Sequence, residues 1–219
     1  MFGQLKKFVM APGVSGDESG IAAVIAKDIA PYVDSGNIDT MGNVIAFKKG
    51  NGENPKKLMF AAHMDEIGFI VSYIDDKGFI RLSQMGGINY AAAAFSEVVF
   101  AGGTKGVLVP NAGTAPADIK ANTVYVDIGV KNKKEAEKRV KIGESCRIVP
   151  NLIHLAGSRV AGRPIDDRIG CLMLFEAAKA AKNFENDTYF VFTVQEEVGV
   201  RGAKTSSFAI DPDYAVAAD

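Results

Sequence analysis

A chain of 219 residues with 47% hydrophobic and 23% charged residues has the composition of a soluble globular protein and is long enough to bury a core without staples. Lys and Arg number 25 against 26 Asp and Glu, so no net field attracts nucleic acid or an anionic membrane. The two cysteines, Cys146 and Cys171, lack metal-ligand spacing and are expected to be reduced, as in a cytoplasmic protein. No run approaches 18 apolar residues, and the N-terminal apolar stretch is too short for a signal peptide.

In chain order, Phe2, Leu5, Phe8 and Val9 recur at helical spacing until Pro12-Gly13 breaks the pattern. Ser15 and Glu18 have the spacing of a capping box and predict a helix opening at Ser15 and running to about Ala30, before Pro31. Asn37–Lys49 reads as a hairpin turning at Met41-Gly42-Asn43, and Leu58–Ala62 as a short buried strand ending at His63. From Ile67 to about Val149, short apolar runs alternate with DDKG, MGG, GGT and NAG, the texture of a small β-barrel or sandwich. Asn132–Val140 is its one predicted helix, and AGGTKG (101–106) reads as a hairpin turn, because it lacks the Ser or Thr that follows Lys in a phosphate-binding loop. After Asn151 strand and helix alternate again. A long apolar helix is predicted from Asp167 to Ala181, a buried strand over Tyr189–Val194, a helix over Gly202–Phe208 and a last strand over Tyr214–Ala218. This organisation predicts a discontinuous α/β domain (residues 1–65 and 158–219) with an inserted β-rich domain (residues 66–157).

The chemistry-bearing residues follow apolar segments. His63 is followed two residues later by Asp65, a spacing that lets a carboxylate take the second ring N–H of a metal-binding histidine. Asp166-Asp167 opens the long helix, Glu196-Glu197 follows the buried strand, and Asp219 follows YAVAA. An imidazole with several carboxylates suits zinc, cobalt or manganese rather than a soft thiolate site. Each feature has a plainer reading: a loop histidine, an N-cap and a solvated glutamate pair. His154, inside the apolar run NLIHLAG, reads as a satisfied structural histidine.

Five segments carry a resemblance: APGVSGDE (11–18), HMDEIGF (63–69), VYVDIGVKNKKEAEKRVKIGE (124–144), RPIDDRIGC (163–171) and FTVQEEVGVRGA (192–203). Together they resemble the glutamyl and tetrahedral aminopeptidases, a family of binuclear metallo-exopeptidases, essentially end to end. The resemblance implies a three-layer α/β metallo-exopeptidase sheet domain with an inserted small β-barrel that mediates homo-oligomerisation, built on dimers and reaching a dodecamer. It implies two divalent ions, zinc or cobalt, and a peptide substrate cleaved at its N-terminal residue. His63 and Asp219 would bind the first metal, Asp166, held by a cis peptide to Asp167, would bridge both, and Glu197 would bind the second. Glu196 would be the general base, and Asp65 the partner of His63. Family members continue beyond the position of Asp219 and supply a further histidine there, so the sheet domain is expected to be incomplete. Two alternatives stand beside this reading: a truncated non-catalytic subunit that keeps the assembly domain, and a glycoside hydrolase, since some homologues carry that label. The alternation of strand side chains argues against Glu196 and Glu197 flanking one glycosidic bond.

Overall fold

The computed structural model describes residues 1–219. Helices α1 (Phe2–Met10) and α2 (Ser19–Ile29) lead into strands β1 (Ser35–Ile38), β2 (Val44–Lys48) and β3 (Lys57–His63). Next come β4 (Gly68–Ile74), β5 (Ile80–Met85), α3 (Tyr90–Ala93), β6 (Glu97–Phe100), β7 (Lys105–Pro110), β8 (Val124–Asp127), α4 (Lys133–Glu137) and β9 (Ser145–Ile148). A hairpin of β10 (Asn151–His154) and β11 (Val160–Arg163) precedes α5 (Arg168–Ala180). The chain closes with β12 (Asp187–Thr193), α6 (Arg201–Ile210) and β13 (Tyr214–Ala217). Two units result, Met1–Glu66 with Pro150–Asp219, and Ile67–Val149. Residues 150–157, placed with the insert in the sequence reading, therefore group with the discontinuous unit, where β10 pairs with β11.

The discontinuous unit is built on a five-stranded sheet in the order β1-β2-β12-β3-β13. Strands β12, β3 and β13 are parallel, while at one side β2 runs antiparallel to β12 and β1 antiparallel to β2. Strand alternation sorts the side chains into two layers. Phe190, Phe192, Val44, Ala46 and Ala62 face one core with α1, α2 and α5, whereas Val191 and Met59 meet Ile210 of α6 on the other side. Helix α2 contributes Ile21, Ile25 and Ile29, spaced four apart and all buried. Each such side chain is worth ~1.5–3 kcal/mol of burial, more than helix propensity supplies over the same residues.

The predicted capping box does not form. Helix α2 starts at Ser19, with Glu18 as its N-cap and no side-chain cap bond. Ser15 turns away to donate to Asp65, and Glu18 accepts from Gly16 and Gln195 backbone N–H groups. Tertiary partners win because both side chains are buried, where the Asp65 carboxylate and the Gln195 N–H need hydrogen-bond partners. His154 also departs from expectation. It lies exposed on β10 between exposed Ile153 and Leu155 and stacks on Phe2, with ring centroids 3.8 Å apart.

The unit Ile67–Val149 is a closed barrel in the order β4-β5-β8-β7-β6-β9. Phe69, Val71, Ile80, Val98, Phe100, Leu108 and Val126 fill its interior. Closure leaves no free strand edge, which is how six short strands are made stable. The turn AGGTKG joins β6 to β7, with Gly103 at φ +87° and its N–H bonded to the Phe100 carbonyl.

Candidate metal centre

The parallel register of the sheet brings the site together. His63 and Thr193 are partners at the ends of β3 and β12, and β13 runs beside β3 with Ala217 opposite Ala61. The residues that follow β3, β12 and β13 therefore emerge at one end of the sheet, the carboxyl end where open α/β sheets place their sites. Glu196 and Glu197 lie beyond β12 rather than on it. Gln195 adopts a left-handed conformation (φ +53°), and Gly199 and Val200 N–H groups close a turn on the Glu196 carbonyl at 2.9 and 2.8 Å. The opposite-face argument for this pair fails, because a strand's alternation stops at Thr193.

Asp65 organises that turn. It is fully buried; its Oδ1 accepts from the Glu196 N–H (3.0 Å), and its Oδ2 from the Glu197 N–H (3.2 Å) and the Ser15 hydroxyl (2.6 Å). Oδ1 also lies 3.4 Å from His63 Nδ1, an ion-pair contact rather than a well-formed hydrogen bond, and Nδ1 has no hydrogen-bond partner. Asn43 braces the same turn. Its buried Oδ1 accepts from the Val194 N–H (3.0 Å) while its Nδ2 reaches the Gly202 carbonyl and Asp39.

The two aspartates before α5 are used differently. Asp167 is buried and caps the helix, its Oδ1 accepting from Gly170 N–H (2.8 Å) and its Oδ2 from His63 N–H (3.2 Å). A Cβ at position 170 would meet Asp167 Oδ1 at 2.3 Å, so the capped geometry requires glycine. Asp166, joined to it by a cis peptide, is 74% exposed, with its Oδ1 2.9 Å from His63 Nε2. Below the site Arg168 is wholly buried, donating to the Phe8 and Ala11 carbonyls and lying 3.5 Å from Glu66.

Negative charge is concentrated around one imidazole. Burial presses the His63 pKa down, but Asp65 above all, then Asp167 and Asp166, outweigh it and lift it to about 9. Asp65 is held below the usual carboxylate range: burial opposes this, and His63, the Ser15 hydroxyl and the Glu196 N–H prevail. Burial raises Asp167 to about 6 against the pull of its Gly170 bond, and burial together with Asp166 raises Glu197. No lysine or arginine forms an ion pair with Asp166, Glu197 or Asp219.

Ligand atoms of His63, Asp166 and Glu197 lie within 4.8 Å of one another, as do those of His63, Asp167 and Asp219. Nitrogen and oxygen donors in such groups, with no lysine or arginine paired to them, fit hard or borderline divalent ions. Asp219 joins His63 through Asp167 in this arrangement, whereas the resemblance pairs it with His63 and Asp166. Sequence reasoning placed Ser15 and Glu18 in a helix cap and Asn43 in a hairpin turn; only tertiary contacts bring all three to the site.

A family model described as M42 glutamyl aminopeptidase matches residues 42–219. The chain belongs to this family. It is 38% identical to the lysyl aminopeptidase of Pyrococcus furiosus over 98% of its own length and 65% of that protein's. The M42 fold is equally plain in solved structures. The aminopeptidase APDkam598 from Desulfurococcus kamchatkensis superposes with TM-score 0.93 at 33% identity, over 98% of this chain and 61% of that one. The TET1 peptidase of Pyrococcus horikoshii, which can assemble into a tetrahedron or a large octahedral shell, gives TM-score 0.89 at 35% identity, over 100% and 68% of the two chains. The chain thus spans about two thirds of the length of the M42 relatives it matches.

Proposed function

We propose that this protein is a metal-dependent aminopeptidase that removes N-terminal residues from peptides. The observation that carries this reading is the convergence of His63, Asp166 and Glu197 within 4.8 Å, beside a Glu196 whose backbone is tied to Asp65. Two divalent ions, zinc or cobalt, would be held by His63, Asp166, Glu197 and Asp219, and would supply Lewis acidity toward the scissile carbonyl and toward water. Asp65 keeps the Nδ1 side of His63 facing a carboxylate, which leaves Nε2 as the ligand atom. Glu196 takes a proton from the water that attacks the carbonyl carbon, and delivers it to the amine nitrogen as the C–N bond breaks. Asp167 keeps α5 capped and the His63 backbone fixed rather than serving as an open ligand.

The barrel unit, residues 67–149, is assigned to homo-oligomerisation, supported by the TET1 relative that assembles into closed shells. A cytoplasmic location accords with two free, buried cysteines. No helix is long and apolar enough to cross a membrane.

Replacing Glu196 with Gln tests the mechanism. Hydrolysis of an aminoacyl p-nitroanilide should fall to background while the bound cation content stays at the wild-type level. Unchanged turnover would eliminate Glu196 as the base. A wild-type chain that binds cations and assembles, yet cleaves no aminoacyl substrate, would return the non-catalytic reading.

A further inference from the structure

We propose that the loop Val14–Glu18 is a clamp that positions Glu196, with Ser15 and Glu18 as its positioning residues; this rests on the aminopeptidase reading above. Ser15 is buried, and its hydroxyl donates to Asp65 Oδ2 at 2.6 Å. Torsion about an aspartate's last bond is soft, so the plane of the Asp65 carboxylate is set by its partners. Those partners are the Glu196 and Glu197 N–H groups, His63 and Ser15. Ser15 alone among them comes from outside the segments that carry the proposed ligands and base.

Glu18 holds the other flank. It is buried, and its Oε1 accepts both the Gly16 N–H (2.7 Å) and the Gln195 N–H (3.1 Å). Gln195 is a non-glycine residue at φ +53°, a strained conformation that persists only where neighbours enforce it. The three consecutive N–H groups of residues 195–197 are therefore anchored by two carboxylates, one steadied by Ser15 and the other supplied by the clamp itself. The loop is fixed in turn. Ser15 N–H donates to the Glu66 carbonyl (3.2 Å), and Glu66 N–H to the Gly13 carbonyl (2.9 Å). Gly13 fits because its missing Cβ would meet Ile21 at 2.6 Å and the buried Arg168 guanidinium at 2.8 Å.

A general base works only at hydrogen-bond reach of its proton, and a misplacement of ~1 Å costs about 100-fold. The full-length chain is compared with Ser15→Ala, Glu18→Ala and Glu18→Gln. Glu18→Gln is the rescue, because an amide oxygen accepts the same two N–H bonds. In cation-free protein, amide hydrogen exchange at residues 195–197 should quicken about tenfold in both alanine variants and stay at the wild-type rate in Glu18→Gln, with Phe190–Phe192 unchanged. In cobalt-loaded protein, kcat should fall about 10–100-fold in the alanine variants with KM within about twofold. Ser15→Ala should also weaken Co²⁺ binding about tenfold, through the loosened Asp65 and His63. Unchanged exchange in the alanine variants, or Glu18→Gln exchanging as fast as Glu18→Ala, would overturn the clamp. Exchange needs no turnover, so a chain without aminopeptidase activity defeats the functional reading and leaves the clamp to its own test.

Discussion

The imidazole of His63 offers a direct measure of the charge imbalance at the site. Its pKa stands at about 9 against an ordinary 6.5, because Asp65, Asp167 and Asp166 together outweigh the cost of burying a cation. The sign follows from linkage: the folded state binds the proton more tightly than the unfolded state. The resulting stabilisation of the cation-free protein is complete below pH 6.5 and is lost as pH rises through about 9. At ~1.4 kcal/mol per pKa unit this amounts to about 3 kcal/mol. The chain has only two histidines, so a His154→Asn variant leaves one imidazole to follow by NMR. The titration midpoint of His63 should lie near 9 in cation-free protein. In Asp65→Asn it should move down sharply, because burial is the largest influence and only the weaker Asp167 and Asp166 contributions then oppose it. Adding Zn²⁺ at neutral pH should release the proton and abolish the titration, since a ligating imidazole must be neutral. A wild-type midpoint at or below 6.5, or an Asp65→Asn midpoint equal to the wild type, would refute the reasoning.

Arg168→Met should destabilise the discontinuous unit by about 3 kcal/mol in urea unfolding followed by a probe in that unit, because it removes a buried guanidinium that lies 3.5 Å from the buried Glu66 carboxylate and donates to the Phe8 and Ala11 carbonyls. The value falls at the low end of the range for broken buried pairs because Arg163 also attracts Glu66. Gly202→Ala would drive a methyl to 2.2 Å from Asn43 Oδ1 and 2.5 Å from the Val194 carbonyl. Those groups are held by the Asn43–Val194 bond, so a cost of about 2–3 kcal/mol is expected, measured as a lowered thermal midpoint. Prolonged dialysis against a chelator should abolish hydrolysis, and Zn²⁺ or Co²⁺ should restore it; activity that survives dialysis would exclude metal dependence.

Much of the architecture is legible in the sequence because burial imposes a period. The run Tyr189–Val194 reads as a two-faced buried strand, and β12 splits into Phe190 and Phe192 on one side and Val191 on the other. The barrel is equally legible, since Gly-rich turns punctuate short apolar runs. Where local and tertiary demands compete, the sequence misleads. Ser15-x-x-Glu18 satisfies the pattern of a capping box, yet those side chains serve Asp65 and Gln195, residues 50 and 177 positions away. NLIHLAG looks like a core strand around His154, yet β10 pairs only with β11: Leu152 is buried in the core, while Ile153, His154 and Leu155 lie exposed.

The sequence by itself determined the chemistry available to this protein: one histidine and several carboxylates, each placed just past an apolar segment by the motifs of the M42 family. Only the tertiary structure decided how those groups divide the work. The parallel register of β3, β12 and β13 sets their ends side by side, and hydrogen bonds then separate equivalent residues. Asp167 is spent on backbone N–H groups while Asp166 stays open, and Asp65 fixes the glutamate turn while Ser15 steadies Asp65. Such assignments cannot be read from spacing, because a carboxylate's role depends on which donors reach it, and those donors come from distant parts of the chain.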